Sequence, residues 1–224
     1  MSTRDRANTH DGAAVYSPGI LKMYDWWVLG ISNRCAWLCP TQSILLPFFQ
    51  RHLTANHLDV GVGTGFYLAN SPMHPAQRIT LLDLNRNSLE AARARIASLQ
   101  PSVVLEDVLN PSGALGEERF DSISLFFLMH CLPGGMADKA RAFETLHRHL
   151  TPGGTLYGAT ILGDGAGHNW LGRRLMKLYN AKGLFGNKTD TLAGLESGLT
   201  RCFAKVKVWQ HGKVALFTAQ APLH

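Results

Sequence analysis

The chain has 224 residues and a mass of 24.6 kDa; 46% of the residues are hydrophobic, the net charge is +6 and the sequence pI is near 9.3. That apolar content is enough for a full core and excludes a disordered chain, and the length suits one domain. No stretch approaches the ~20 apolar residues that span a bilayer, and the polar start Met1–His10 has no apolar signal region, so a cytoplasmic protein without a membrane partner is expected.

Residues 1–14 are polar and read as a flexible tail. Ser17-Pro18 opens a helix, with Ser as N-cap and Pro in the first turn. Its apolar stripe is Ile20, Tyr24, Trp27, Val28 and Ile31. Trp26 and Trp27 point about 100° apart on such a helix and share no face. Thr41 is placed to cap a second helix carrying Ile44, Leu45, Phe48 and Phe49, which Pro47 must kink or split. Two readings apply to this aromatic region, residues 15–54: a lid that walls the substrate, or packing against the sheet.

The core pattern follows. Strand one is about 57–60, with a helix after it that uses Phe66, Tyr67 and Leu68. Strand two is 79–83. Asn85 caps a helix over 86–99, with Leu84 and Leu89 placed as a hydrophobic staple. Strand three is 102–106 and strand four 120–127. A helix over about 136–149 buries Ala140, Phe143, Leu146 and Leu150. Thr151-Pro152-Gly153-Gly154 is a turn into strand five, 155–160. A late helix covers 170–179. Strands over 204–210 and 213–219 flank a turn at His211-Gly212, an antiparallel hairpin.

Cys35 and Cys39 have a second-rate zinc spacing, so no metal site is expected and all four cysteines read as reduced and mostly buried. The basic run Arg173, Arg174, Lys177, Lys182 and Lys188 is either a solvated helix face or a phosphate-binding stripe.

The segment His57-Leu58-Asp59-Val60-Gly61-Val62-Gly63-Thr64-Gly65 is the most informative. A glycine loop after the first strand and an acid, Asp83, ending the second are the layout of a doubly wound sheet holding a nucleoside. A dinucleotide fingerprint fails because Phe66 stands where a glycine is required, and a P-loop fails for lack of its lysine. The run from Asp59 to Gly65 resembles the first motif of class I methyltransferases dependent on S-adenosylmethionine (SAM). SAM has an ammonium, a ribose and an adenine but no phosphate, so acids and close backbone suit it. Asp83 can accept both ribose hydroxyls, each such bond worth about 1.5–3 kcal/mol.

The resemblance extends from Asp59 to the C-terminus. It implies an α/β, doubly wound, Rossmann-like seven-stranded sheet with an antiparallel C-terminal hairpin and N-terminal lid helices, in one domain over 15–224. It implies that Asp59, Gly61, Gly63 and Gly65 form the cofactor loop, with Asp59 near the amino group. Asp83 with Leu84 takes the ribose, and Asp107 and Val108 the adenine. The stretch Phe126–Gly134 falls where this family places substrate-facing residues, and resembles its small-molecule branch. Asn/Asp-Pro-Pro-Tyr, carried by members that methylate bases or glutamine, is absent.

The implied activity is methyl transfer to oxygen or nitrogen of a small, apolar or aromatic acceptor, by a monomer or homodimer. An RNA-binding methyltransferase or RNA-binding module is the alternative. His130 is the first candidate for a general base, since imidazole titrates near neutral pH. Tyr24, Tyr16 and His168 follow. His130 could instead be a histidine bonded to backbone, and Asp107 a strand-end residue capping the next turn.

Overall fold

The computed structural model describes residues 32–223. The tail 1–14, the helix expected after Ser17-Pro18, Trp26 and Trp27 lie outside the described residues. So do Tyr16 and Tyr24. Strands β1 (Asn56–Val60), β2 (Arg78–Asp83), β3 (Ser102–Leu105), β4 (Phe120–Phe126), β5 (Leu150–Ile161), β6 (Phe203–His211) and β7 (Val214–Pro222) form one sheet, ordered β3-β2-β1-β4-β5-β7-β6. β1 to β5 pair in parallel, and β7 runs antiparallel to both β5 and β6. The order reverses between β1 and β4, and the crevice at the carboxyl ends there is where such sheets hold ligands.

Helices cover both faces, as β1 and β4 demand by being buried on both sides. On one face lie α1 (Leu46–His52), α2 (Phe66–Ala69), α3 (Arg86–Arg95) and α6 (Trp170–Ala181), whose Phe49, Leu68, Leu89 and Met176 join Leu81, Tyr157 and Leu216. On the other lie α4 (Met136–Lys139), α5 (Arg141–Leu146) and α7 (Leu192–Thr200), where Phe143, Leu195 and Leu199 meet Leu58, Ile123 and Phe217.

Several elements differ from expectation. Thr41 lies inside a π turn, Thr41–Leu45, rather than ahead of a helix, and its Oγ1 accepts from Asn33 Nδ2 at 2.9 Å. Pro47 does split the segment, because it falls in the first turn of α1, where its missing N–H costs nothing. Asn85 caps α3 as expected, accepting from Asn87 N–H at 2.9 Å. The helix over 136–149 is broken after Lys139, yet Ala140, Phe143, Leu146 and Leu150 are all buried. β5 begins at Leu150 rather than 155, with a bulge taking up residues 151–154 opposite Phe120 and Ser122. The hairpin turn is Gly212-Lys213, one residue later than expected, since His211 pairs with Val214. All four cysteines are free, but only Cys39 and Cys202 are buried.

Helix α7 was not expected at all. Its two glycines weaken helix propensity by about 1 kcal/mol each. Packing favours them: a Cβ on Gly198 would lie 3.1 Å from Ala140 Cβ, and one on Gly194 3.1 Å from Thr191 Oγ1 and 3.3 Å from Met136 Cγ, so neighbours would have to give. Thr191 caps the helix, accepting from Gly194 N–H at 3.0 Å.

Candidate active site

Each loop glycine answers a different constraint. A Cβ on Gly61 would strike Leu128 at 2.8 Å, and one on Gly65 would strike Ala92 Cα of α3 at 2.9 Å. Gly63 also has a left-handed φ of +52°, but a Cβ there would meet nothing within 4 Å. The backbone at Gly63 therefore borders open space at the carboxyl edge of β1, room for a ligand to lie against the main chain.

Two carboxylates face that loop. Asp83, at the end of β2, accepts from Asn85 N–H at 2.8 Å and from the N–H groups of Gly63, Val62 and Leu84. Burial pushes its carboxyl up to about 6 against those donors. Asp59 is 6% exposed and accepts from the Ser124 hydroxyl at 2.5 Å. Burial pushes it up to about 7 despite that bond, and Asp83 adds to the rise. Among the described residues neither acid has a basic partner. A buried acid, Asp59, raised in part by the half-buried Asp83 beside an open glycine loop suits a ligand that brings a cation and hydroxyls. The residues fit SAM: Asp59 for the ammonium, Asp83 for the ribose, and Gly61, Gly63 and Gly65 for close backbone.

At the end of β3, Glu106 is buried, and its Oε1 accepts from Ser112 N–H at 2.6 Å, the Ser112 hydroxyl at 2.8 Å and Ala114 N–H at 3.0 Å. Against the cost of burial, Ala114 and Ser112 hold its carboxyl below the usual range. Asp107 accepts from Leu109 N–H and from Asn110 Nδ2, both at 2.9 Å, so its carboxylate shapes the turn that presents buried Val108. Leu84 is half-buried beside Asp83.

On the acceptor side, the exit of β4 is strained: Phe127 has φ +59°, which costs a non-glycine residue about 1–2 kcal/mol and marks functional loops. His130 follows, 2% exposed, wedged edge-on against Phe185 at 4.5 Å and Phe127 at 5.7 Å between ring centroids. Its Nδ1 accepts from Ile161 N–H at 3.4 Å, so the ring proton is assigned to Nε2. Burial, helped by the charge of Lys139, drives its imidazole down to about 3. The ring is thus held neutral with Nδ1 facing the β5 backbone and Nε2 left as the donor. His168 is buried too, bonding the Leu162 and Gly163 carbonyls through Nε2 at 3.0 Å. His52, His147 and His149 bond backbone carbonyls.

Phe185 also packs on Tyr179 and Trp37. Its loop is pinned by a buried ion pair, Lys139 Nζ to Asp190 Oδ2 at 2.5 Å, with Lys139 also donating to Gly186 O at 3.0 Å. The sequence reading missed that pair, as well as Ser122 and Ser124 beneath Asp59. No spacing signal marks a lysine and an aspartate 51 residues apart, but the alternation of His57 with Asp59 and of Ser122 with Ser124 is visible in the sequence. On α6, Arg173 donates to His168 O at 2.6 Å and Arg174 lies over the Trp170 ring at 5.2 Å, so two of the basic side chains have partners within the chain. Among the described residues there is no cluster of three or more metal-ligating side chains and no helix long and apolar enough to cross a membrane.

A family model described as a methyltransferase domain matches residues 58–156. The chain is 47% identical over 192 residues to the putative uncharacterized protein YbcY of Escherichia coli (strain K12), covering 85% of this chain and 98% of that one. It is 40% identical over 214 residues to the Physcion biosynthesis cluster O-methyltransferase of Aspergillus chevalieri, covering 96% of both. A solved structure described as a DhpI-SAH complex matches with a TM-score of 0.69 at 12% identity, covering 99% of this chain and 100% of that one. The sheet order, the loop and these relatives define a class I SAM-dependent methyltransferase, and the chain belongs to that family. It is an enzyme that uses SAM to methylate a small molecule.

Proposed function

We propose that the acceptor atom is oxygen, in a hydroxyl of a small aromatic compound. The observation that carries this is the match over 96% of both chains to a relative named as an O-methyltransferase of a biosynthetic cluster. Phe127 and Phe185, each T-shaped against His130, and Tyr179, tilted on Phe185, supply a fitting wall.

Asp59 takes the ammonium, Asp83 both ribose hydroxyls with Leu84 packed beside them, and Val108 an apolar contact to adenine above the turn that Asp107 holds. SAM when bound supplies an activated methyl group for in-line displacement. The chain's own residues align the acceptor and exclude water, and such alignment is worth several kcal/mol, up to about 7–11 in the best cases. His130 bounds the acceptor and can donate a hydrogen bond from Nε2. Tyr16 and Tyr24, outside the described residues, remain the candidates to touch the acceptor, whereas the α1 part of 15–54 packs against the sheet.

The test is labelled methyl transfer from SAM to a panel of phenols, carboxylic acids and aromatic amines, with products mapped by mass spectrometry. Label on phenolic oxygen is expected, and label confined to nitrogen overturns the assignment. Because His130 titrates far below neutrality, the turnover profile should show no His130 limb between about pH 5 and 8; a limb there that His130→Gln abolishes would restore it as the base.

A further inference from the structure

β1 and β4 run parallel with His57 opposite Ser122 and Asp59 opposite Ser124. The two-residue period of a strand puts all four side chains on one face, where His57 also meets the Phe49 and Tyr157 rings. His57, Ser122 and Ser124 are fully buried. A polar cluster in that position costs stability unless every member is bonded, and here each one is.

The hydrogen positions follow by counting donors. Ionised Asp59 only accepts, so Ser124 commits its one hydrogen to Asp59 Oδ1 at 2.5 Å. His57 Nε2, 3.1 Å from Ser124 Oγ, must then donate to it. Nδ1 is left to accept, taking the Ser122 hydroxyl hydrogen at 2.7 Å. Ser122 Oγ accepts from Thr54 N–H at 3.2 Å; the half-buried Thr54 hydroxyl lies 2.7 Å from it and 3.1 Å from Asn56 O, so its one hydrogen serves Ser122 in this direction and turns to Asn56 O when the row reverses.

We propose that Ser122, His57 and Ser124 form a positioning relay that aims the Asp59 carboxylate at the cofactor's ammonium and reverses its hydrogen-bond direction when that carboxylate takes up a proton. The proposal rests on the reading that Asp59 holds the ammonium. The reversal balances. One proton enters at Ser122 from the Thr54 side, and the Ser122 hydrogen passes to His57 Nδ1. The Nε2 hydrogen then passes to Ser124 Oγ and the Ser124 hydrogen to Asp59. The net change is one proton gained at Asp59 and a change of His57 tautomer. The other ionisable groups facing Asp59 are Asp83 from β2 and the Tyr157 hydroxyl from β5. Burial opposes ionisation of Asp59 most, the Ser124 bond favours it, and Asp83 adds to the opposition. Burial drives the His57 imidazole down to about 3, so the ring stays neutral and only its tautomer changes.

Nitrogen-15 NMR of histidine-labelled wild-type protein reads the tautomer directly. His57 should carry its proton on Nε2 when S-adenosylhomocysteine is bound and at about pH 8, and shift toward Nδ1 in the free protein at about pH 5. One tautomer throughout overturns the relay. In calorimetry, Ser124→Ala should weaken S-adenosylhomocysteine about tenfold at neutral pH and move the acid limb of its affinity upward by about one pH unit. Affinity for 5′-methylthioadenosine, which lacks the ammonium, should stay within about twofold. Equal losses for both ligands, or an unmoved limb, reject the relay. Asp59→Asn separates the underlying reading: if it binds S-adenosylhomocysteine like wild type, Asp59 does not hold the ammonium, whatever the relay does.

Discussion

Lys139→Met should be the most damaging single change outside the glycine loop. The Lys139 and Asp190 side chains are both 0% exposed, with Nζ 2.5 Å from Oδ2, and Asp190 Oδ1 has no hydrogen-bond partner among the described residues. Removing the ammonium leaves a carboxylate in apolar surroundings and frees the Gly186 carbonyl. Breaking such a buried pair costs about 3–5 kcal/mol, which for a chain of this size lowers Tm by roughly 6–20 °C. Two controls make the reasoning specific. Lys139→Met with Asp190→Leu should recover most of the loss, because an apolar pair of similar volume has no charge left to desolvate. The deficit of Lys139→Met should also shrink in acid. Burial already raises the Asp190 carboxyl, and losing Lys139 removes the groups that hold it down. An acid whose folded-state pKa is raised destabilises above its unfolded value; the penalty shrinks as pH falls through the folded value and is gone below the unfolded one. Thermal melts at several pH values check all of this. A double variant no more stable than Lys139→Met, or a deficit that grows in acid, refutes the account. Because Phe185 sits in the loop this pair pins, KM for the acceptor should rise in the single variant measured at low temperature.

Asp83→Ala should weaken S-adenosylhomocysteine by about tenfold or more, the scale of one charged hydrogen bond, with calorimetry as the readout. Wild-type affinity should fall as pH drops below about 7 and then 6, where Asp59 and Asp83 protonate in the free protein, because the bound ammonium and hydroxyls require carboxylates; an affinity flat between about pH 5 and 8 contradicts this. Gly63→Ala and Gly65→Ala should part company. Both incur about 1–2 kcal/mol of left-handed strain, but Gly65→Ala also collides with α3 and should lower Tm further, whereas Gly63→Ala projects a methyl into open space and should lose cofactor affinity disproportionately.

The parallel core was legible because buried strands and the glycine loop impose strong local rules, and β1, β2, β4 and the Asn85 cap lie within a residue or two of expectation. Helix α7 was hidden because Gly194 and Gly198 obey a tertiary demand, closeness to Met136 and Ala140, that overrides propensity. The site divided along the same line. Asp59, Asp83 and the loop glycines are set by chain-local geometry and meet around one crevice. The chemical state of His130 depends on burial by Phe185, far along the chain, and on β5 backbone, neither of which its neighbours in sequence announce.

The turn Gly212-Lys213 lies three strands from the cofactor loop, yet it reaches the wall proposed for the acceptor through packed intermediaries. Lys213 N–H bonds Trp37 O at 2.7 Å, and only a glycine at 212 can sit against the Trp37 and Leu38 carbonyls, 2.4 and 2.3 Å from where a Cβ would stand. Trp37 in turn buttresses His168 and Phe185. Exchanging the terminal ribbon between relatives would therefore retune which acceptors are welcomed while leaving the methyl donor's seat untouched, making that distant ribbon a dial for selectivity.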